Sequence, residues 1–76
     1  MADRLKEVLA GVLEVTTSEL SDDASSDNLP GWDSLRQLEV ILALELEYGI
    51  RISTADVFEL QDLPSIREYL TRHGKA

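Results

Sequence analysis

Leu29-Pro30-Gly31-Trp32-Asp33-Ser34-Leu35 is the stretch on which the chain turns. Pro-Gly is loop punctuation. Directly after it, Leu35 to Tyr48 is a run of helix formers with no internal Gly or Pro, and Gly49 stands where a helix stop belongs. Ser34 with Gln37 three residues on fits a capping box, in which the serine oxygen accepts from a backbone N–H of the first turn. This reads Ser34 as the N-cap of the long helix. A helix start also carries partial positive charge and free N–H groups, so a phosphate attached there is electrostatically welcome.

The same position does not make a nucleophile. A nucleophilic serine needs an adjacent base held by a third group. The chain has one histidine, His73, close to the far end, and no cysteine. Ser34 therefore reads as a hydroxyl offered to another enzyme rather than as a catalyst.

Working outward, the long helix is apolar on two sides at about 100° per residue. Val40, Ile41, Leu44 and Tyr48 form one stripe, and Leu35, Leu38, Leu42 and Leu46 form another nearly opposite. Two stripes imply either central burial or a face left for a partner. Upstream, Leu5, Val8, Leu9, Val12 and Leu13 have the spacing of an amphipathic helix over Asp3 to Val15. Gly11 inside it suits a close helix contact. The connection from Thr16 to Trp32 is polar and long, which favours a functional loop. It should hold a short helical turn at Thr17 to Leu20, capped by Thr17 or Ser18, with Leu20, Ala24 and Leu29 as apolar anchors. Asp22, Asp23 and Asp27 lack the central Gly and bidentate Glu of a calcium loop, so no metal site is expected.

Downstream, Gly49-Ile50-Arg51-Ile52 reads as an extended connector. A short helix follows through about Phe58, capped by Ser53 or Thr54, with Asp56 in its first turn and Val57 and Leu60 packed inward. Asp62 or Ser65 starts the last helix, where Pro64 is tolerated in the first turn. Leu63, Ile66, Tyr69 and Leu70 should face the bundle, and Arg72, His73 and Lys75 suit the negative helix end before and after the stop at Gly74. The expected fold is all-α: a small bundle of three principal helices plus one short helix, in a single domain over residues 1–76.

The net charge of −8 argues against nucleic acid and favours basic partners. No apolar run reaches membrane-spanning length, and Met1-Ala2-Asp3-Arg4 does not open a signal segment, so a cytoplasmic monomer is the expectation.

Gly31-Trp32-Asp33-Ser34-Leu35, followed by a Leu/Val/Ile-rich helix with Glu39, Glu45 and Glu47, resembles the acyl carrier proteins. The spacing from Ser34 to Ile52, Leu60, Leu63 and Tyr69 extends the resemblance over nearly the whole chain. It implies that Ser34 carries covalent 4′-phosphopantetheine, with Asp33 and Leu35 as its immediate site. It also implies a separate phosphopantetheinyl transferase, which supplies the arm from coenzyme A. An acyl, aminoacyl or polyketide-type cargo would then ride as a thioester, charged by a loading enzyme and passed to a downstream synthase or transferase. The chain itself would not be an enzyme.

Trp before Asp-Ser-Leu resembles discrete carriers of specialised pathways more than the fatty-acid-synthase type. The resemblance implies a partner face of Arg36, Leu38, Glu39, Leu42, Glu45 and Phe58; the competing reading, plain burial against the third helix and the loop, is expected for part of the stripe, at Leu35 and Leu46. Phe58 either covers the mouth of an acyl channel or joins the core. Three positions depart from the family pattern. Arg36 and Leu46 stand where acids are common, which weighs against a housekeeping fatty-acid role, and Ser26 replaces an apolar anchor, which predicts a looser loop. The alternative is an unmodified interaction module of the same fold.

Overall fold

The computed structural model describes residues 3–75; the reading of the Met1-Ala2 start lies outside them. The order is α1 (Arg4–Leu13), a 3-10 turn (Thr17–Glu19), α2 (Ser34–Tyr48), α3 (Thr54–Val57) and α4 (Leu63–Arg72). Among the described residues the only β pairing is one isolated bridge, Ser25 to Asp62. The fold is the small all-α bundle that the periodicities predict.

Asp3 caps α1 by accepting from the Lys6 N–H. The same carboxylate pairs with Arg67 of α4, which holds it below its ordinary pKa and ties the first helix to the last. Leu5, Leu9, Ala10 and Leu13 are buried, while Val8 and Val12 are only half-buried. Gly11 is exposed, and a Cβ there would meet nothing within 4 Å. The close helix contact expected at Gly11 is therefore absent. Its φ needs no glycine either, since the left-handed residues here are Glu14, Gly49 and Gly74. Gly11→Ala should stabilise the protein by about 1 kcal/mol, seen as a rise of several degrees in the thermal midpoint.

The Thr16–Trp32 connection is anchored by Leu20, Ala24 and Trp32, all buried. Thr16, not Thr17 or Ser18, occupies the N-cap of the 3-10 turn, and no side chain caps it. The loop is not loosened at Ser26. The Ser26 N–H donates to the Gln61 carbonyl at 2.9 Å, its hydroxyl donates to Gln61 Oε1 at 3.1 Å, and the Leu63 N–H donates to the Ala24 carbonyl at 2.8 Å. Hydrogen bonds to the α3–α4 connection replace the missing apolar anchor. Asp22 pairs with Lys6 at 2.9 Å, and among the described residues no cluster of His, Asp or Glu is arranged to hold a metal.

Helix α2 resolves its two stripes cleanly. Val40, Ile41 and Leu44 are buried and Tyr48 is half-buried. The opposite stripe is open along its length: Leu35 is 66% exposed, Leu38 52%, Leu42 59% and Leu46 86%. Burial of Leu35 and Leu46 against a third helix does not occur, because α3 meets α2 on the opposite face, at Gln37. At about 100° per residue these four leucines fall within an arc of roughly 80°, opposite the buried stripe. Helix α4 is capped by Asp62, which accepts from the Ser65 N–H at 2.7 Å, and it buries Leu63, Ile66, Tyr69 and Leu70 as expected. Among the described residues no helix is long and apolar enough to cross a membrane.

Candidate functional site

The start of α2 is built differently from a capping box. Asp33 is the N-cap, with extended backbone, and its Oδ1 accepts from the Arg36 N–H at 2.8 Å. Ser34 is the first helical residue. Its hydroxyl is exposed and has no hydrogen-bond partner among the described residues. The reason lies in chemistry: a carboxylate one residue earlier reaches the first-turn N–H groups and makes a stronger, charge-assisted bond than a hydroxyl can. The Ser34 and Leu35 backbone N–H groups find no acceptor among the described residues. They stay available at the positive end of a 15-residue helix.

This division of labour has a measurable consequence. Asp33→Ala should cost about 0.5–2 kcal/mol through loss of the cap, whereas Ser34→Ala should leave the denaturation midpoint nearly unchanged. Urea denaturation of the two variants beside the wild type checks it; a larger loss in the serine variant would reverse the assignment.

Gln37 turns inward rather than back to the cap. It is 2% exposed, on the same helix face as Val40, Ile41 and Leu44. Trp32 Nε1–H donates to Gln37 Oε1 at 2.6 Å, and Gln37 Nε2 donates to the carbonyls of Val57 at 2.7 Å and Leu60 at 2.9 Å. One side chain thus fastens three pieces of chain. These are the loop entering the serine, the helix leaving it, and the C-terminal end of α3. All three partner groups are buried with it, and each would cost about 1–3 kcal/mol if left unpaired. The register 37, 40, 41, 44 already marks Gln37 as core-facing; a capping-box reading hides that signal.

Beside the serine lies a cleft of about 270 Å³, lined by Ser26, Trp32, Asp33, Ser34, Gln37, Phe58 and Gln61. The structure excludes one of the two readings of Phe58, that it joins the core. It is 64% exposed, outside the core, and forms one wall of this cleft.

The residues expected on the partner face divide into two groups. Leu38, Glu39 and Leu42 are exposed on α2, and Leu35 and Leu46 extend the apolar strip to both ends. Arg36 and Glu45 are half-buried and engaged in contacts within the chain. The Arg36 guanidinium donates to the Val12 carbonyl at 2.8 Å and to Glu14 at 2.9 Å, with Glu39 at 3.8 Å, so it serves the exposed end of α1. Glu45 accepts from the Ile52 N–H at 2.8 Å and holds the connector after α2. Far from this site, His73 ends α4, stacked on Tyr69 at 4.2 Å with Nδ1 against the Tyr69 carbonyl at 2.8 Å.

The geometry is an exposed, uncommitted serine hydroxyl at a helix start, beside a small cleft and at the head of an open apolar strip. Residues 3–70 match the family described as "Phosphopantetheine attachment site". The chain is 36% identical over 69 residues to polyketide-8 synthase acyl carrier protein 2 of Streptomyces avermitilis, an alignment covering 91% of this chain and 79% of that protein. It is 34% identical over 73 residues to the acyl carrier protein of Clostridium perfringens strain SM101, with 96% of each covered. This chain belongs to the phosphopantetheine-attachment family, as an acyl carrier protein that bears its cargo on covalently attached 4′-phosphopantetheine.

Proposed function

We propose that Ser34 is the attachment residue and that the open face of α2 is where partner enzymes dock. The observation that carries this reading is the Ser34 hydroxyl, exposed and unbonded at the start of α2 while Asp33 does the capping. The two unclaimed N–H groups of the first helical turn fit a phosphodiester at that oxygen. When bound, the phosphopantetheine supplies a flexible thiol on which cargo rides as a thioester, and the tether raises its effective concentration at each partner's active site. The protein's residues hold and present that arm; they do not catalyse.

The partners are a phosphopantetheinyl transferase using coenzyme A, an enzyme that loads the cargo, and a synthase or transferase that takes it. Leu35, Leu38, Leu42 and Leu46 supply the apolar contact, with Glu39 and the overall charge of −8 favouring basic enzyme surfaces around it. Phe58 stands at the cleft beside the serine and belongs to the same contact zone. A polyketide-type pathway is supported by the Streptomyces avermitilis relative, whose name places it with a polyketide synthase. The protein works as a cytoplasmic monomer. Incubation with a promiscuous transferase and a fluorescent coenzyme A analogue tests the reading: the wild type should label once and Ser34→Ala not at all. Equal labelling of both would defeat it.

A further inference from the structure

The cleft next to Ser34 is small, of mixed polar and apolar lining, and its floor is locked. Gln37 spans the gap between α2 and the end of α3 through its bonds to the Val57 and Leu60 carbonyls, and it holds the Trp32 indole N–H from the other side. For a chain of methylenes to pass from Ser34 into the apolar interior, α3 would have to part from α2. That movement would break both bonds of the Gln37 amide N–H groups and leave the buried Leu60 carbonyl and the Gln37 amide without partners. Beneath the latch the interior is filled by Val40, Leu44, Leu63 and Ile66, none more than 1% exposed.

Outside the latch the walls offer hydrogen bonds. Gln61 Oε1 is occupied by the Ser26 hydroxyl, which leaves the Gln61 amide N–H groups as donors without a partner among the described residues. The Ser26 oxygen and the half of Asp33 not used in capping can accept. Phe58 supplies one apolar wall, and the volume of about 270 Å³ falls below the roughly 300–1,000 Å³ of clefts that enclose drug-sized ligands.

We infer that Gln37 sets the class of cargo: it shuts the interior, so the group carried from Ser34 rests in the cleft bounded by Ser26, Gln61 and Phe58, and that group is a short acyl chain with a hydroxyl or second carbonyl rather than a long alkyl chain. The inference rests on the reading of Ser34 as the attachment residue. Gln37 acts through the space it closes and is a specificity-determining residue, not one that touches the thioester.

The test uses the wild-type chain, loaded by a transferase with 3-hydroxybutyryl- or octanoyl-pantetheine from the corresponding coenzyme A thioesters. Intact mass and fragmentation first establish that each arm is on Ser34; an arm found elsewhere contradicts the attachment reading and removes this inference with it. With the arm on Ser34, the 3-hydroxybutyryl form should shift the side-chain amide signals of Gln61 and the backbone signals of Ser26 and Phe58 relative to the unacylated arm. The octanoyl form should leave the Trp32 indole N–H and the methyl signals of Val40, Leu44 and Ile66 where the unacylated arm leaves them, with the melting midpoint unchanged. Octanoyl-dependent shifts of those methyls, or a raised midpoint, would show the chain entering the interior and would overturn the inference while leaving the attachment reading intact. Unmoved Gln61 and Ser26 signals in the 3-hydroxybutyryl form would overturn it as well.

Discussion

Gln37→Leu should melt about 10 °C or more below the wild type, because it leaves the Trp32 indole N–H and the Leu60 carbonyl buried without partners and the Val57 carbonyl with only its 3.4 Å bond from the Leu60 N–H. Leucine is close to glutamine in size, so packing is nearly conserved and the loss isolates the polar terms. Two orphaned groups amount to roughly 2 kcal/mol or more. A domain of 76 residues has only about 4–11 kcal/mol in total. The network joins the segment before Ser34 to α3, so near-ultraviolet circular dichroism from Trp32 should collapse together with the melt. A Gln37→Leu protein melting within about 2 °C of the wild type would mean that water or local rearrangement satisfies these groups, and the latch would then carry little energy.

The second large effect separates two leucines two residues apart. Leu44 is 1% exposed and Leu42 is 59% exposed, on opposite sides of α2. Leu44→Ala should cost about 2–5 kcal/mol, a large share of the total stability. Leu42→Ala should hardly move the melt, yet it should slow phosphopantetheinyl transfer and cargo transfer several-fold, about tenfold if the lost contact is worth 1.4 kcal/mol. The reduction should sit in kcat/KM, since docking rather than chemistry is impaired. Equal destabilisation by both substitutions would place the open strip inside the fold.

Much of this was legible from spacing. The apolar residues of α1, the buried stripe Val40, Ile41 and Leu44 and the inward face of α4 all follow from a 3.6-residue period, and turn chemistry narrows the start of α4 to Asp62 or Ser65, of which Asp62 is the cap. Leu38 and Leu42 were readable as an open face for the same reason. The misreadings have specific causes. Asp33 and Ser34 are both good caps, and a one-residue offset decides which side chain is left free for modification; spacing alone does not distinguish them.

Leu35 and Leu46 read as core because another helix was expected to cover them, and the face of α2 on which the neighbouring segments pack, the one bearing Gln37, is a tertiary outcome. Arg36 reads as a surface charge on α2, but its long side chain crosses to the Val12 carbonyl and Glu14, a contact between residues more than twenty apart in sequence. Ser26 replaced one kind of anchor with another, through Gln61. Gln37 was the costliest miss, since a polar residue on a buried stripe should itself prompt a search for its partners.

The central claim is that one oxygen, Ser34 Oγ, holds the arm. Its most direct test is fragmentation mass spectrometry of the wild-type chain after incubation with a phosphopantetheinyl transferase and coenzyme A. The tryptic peptide over residues 7–36 contains Ser34 together with Ser18, Ser21, Ser25 and Ser26, so backbone fragments distinguish the five serines. The expected result is a single phosphopantetheine on Ser34, with every other hydroxyl unmodified. An arm on any other residue, or none after exhaustive incubation of folded protein, would contradict the account.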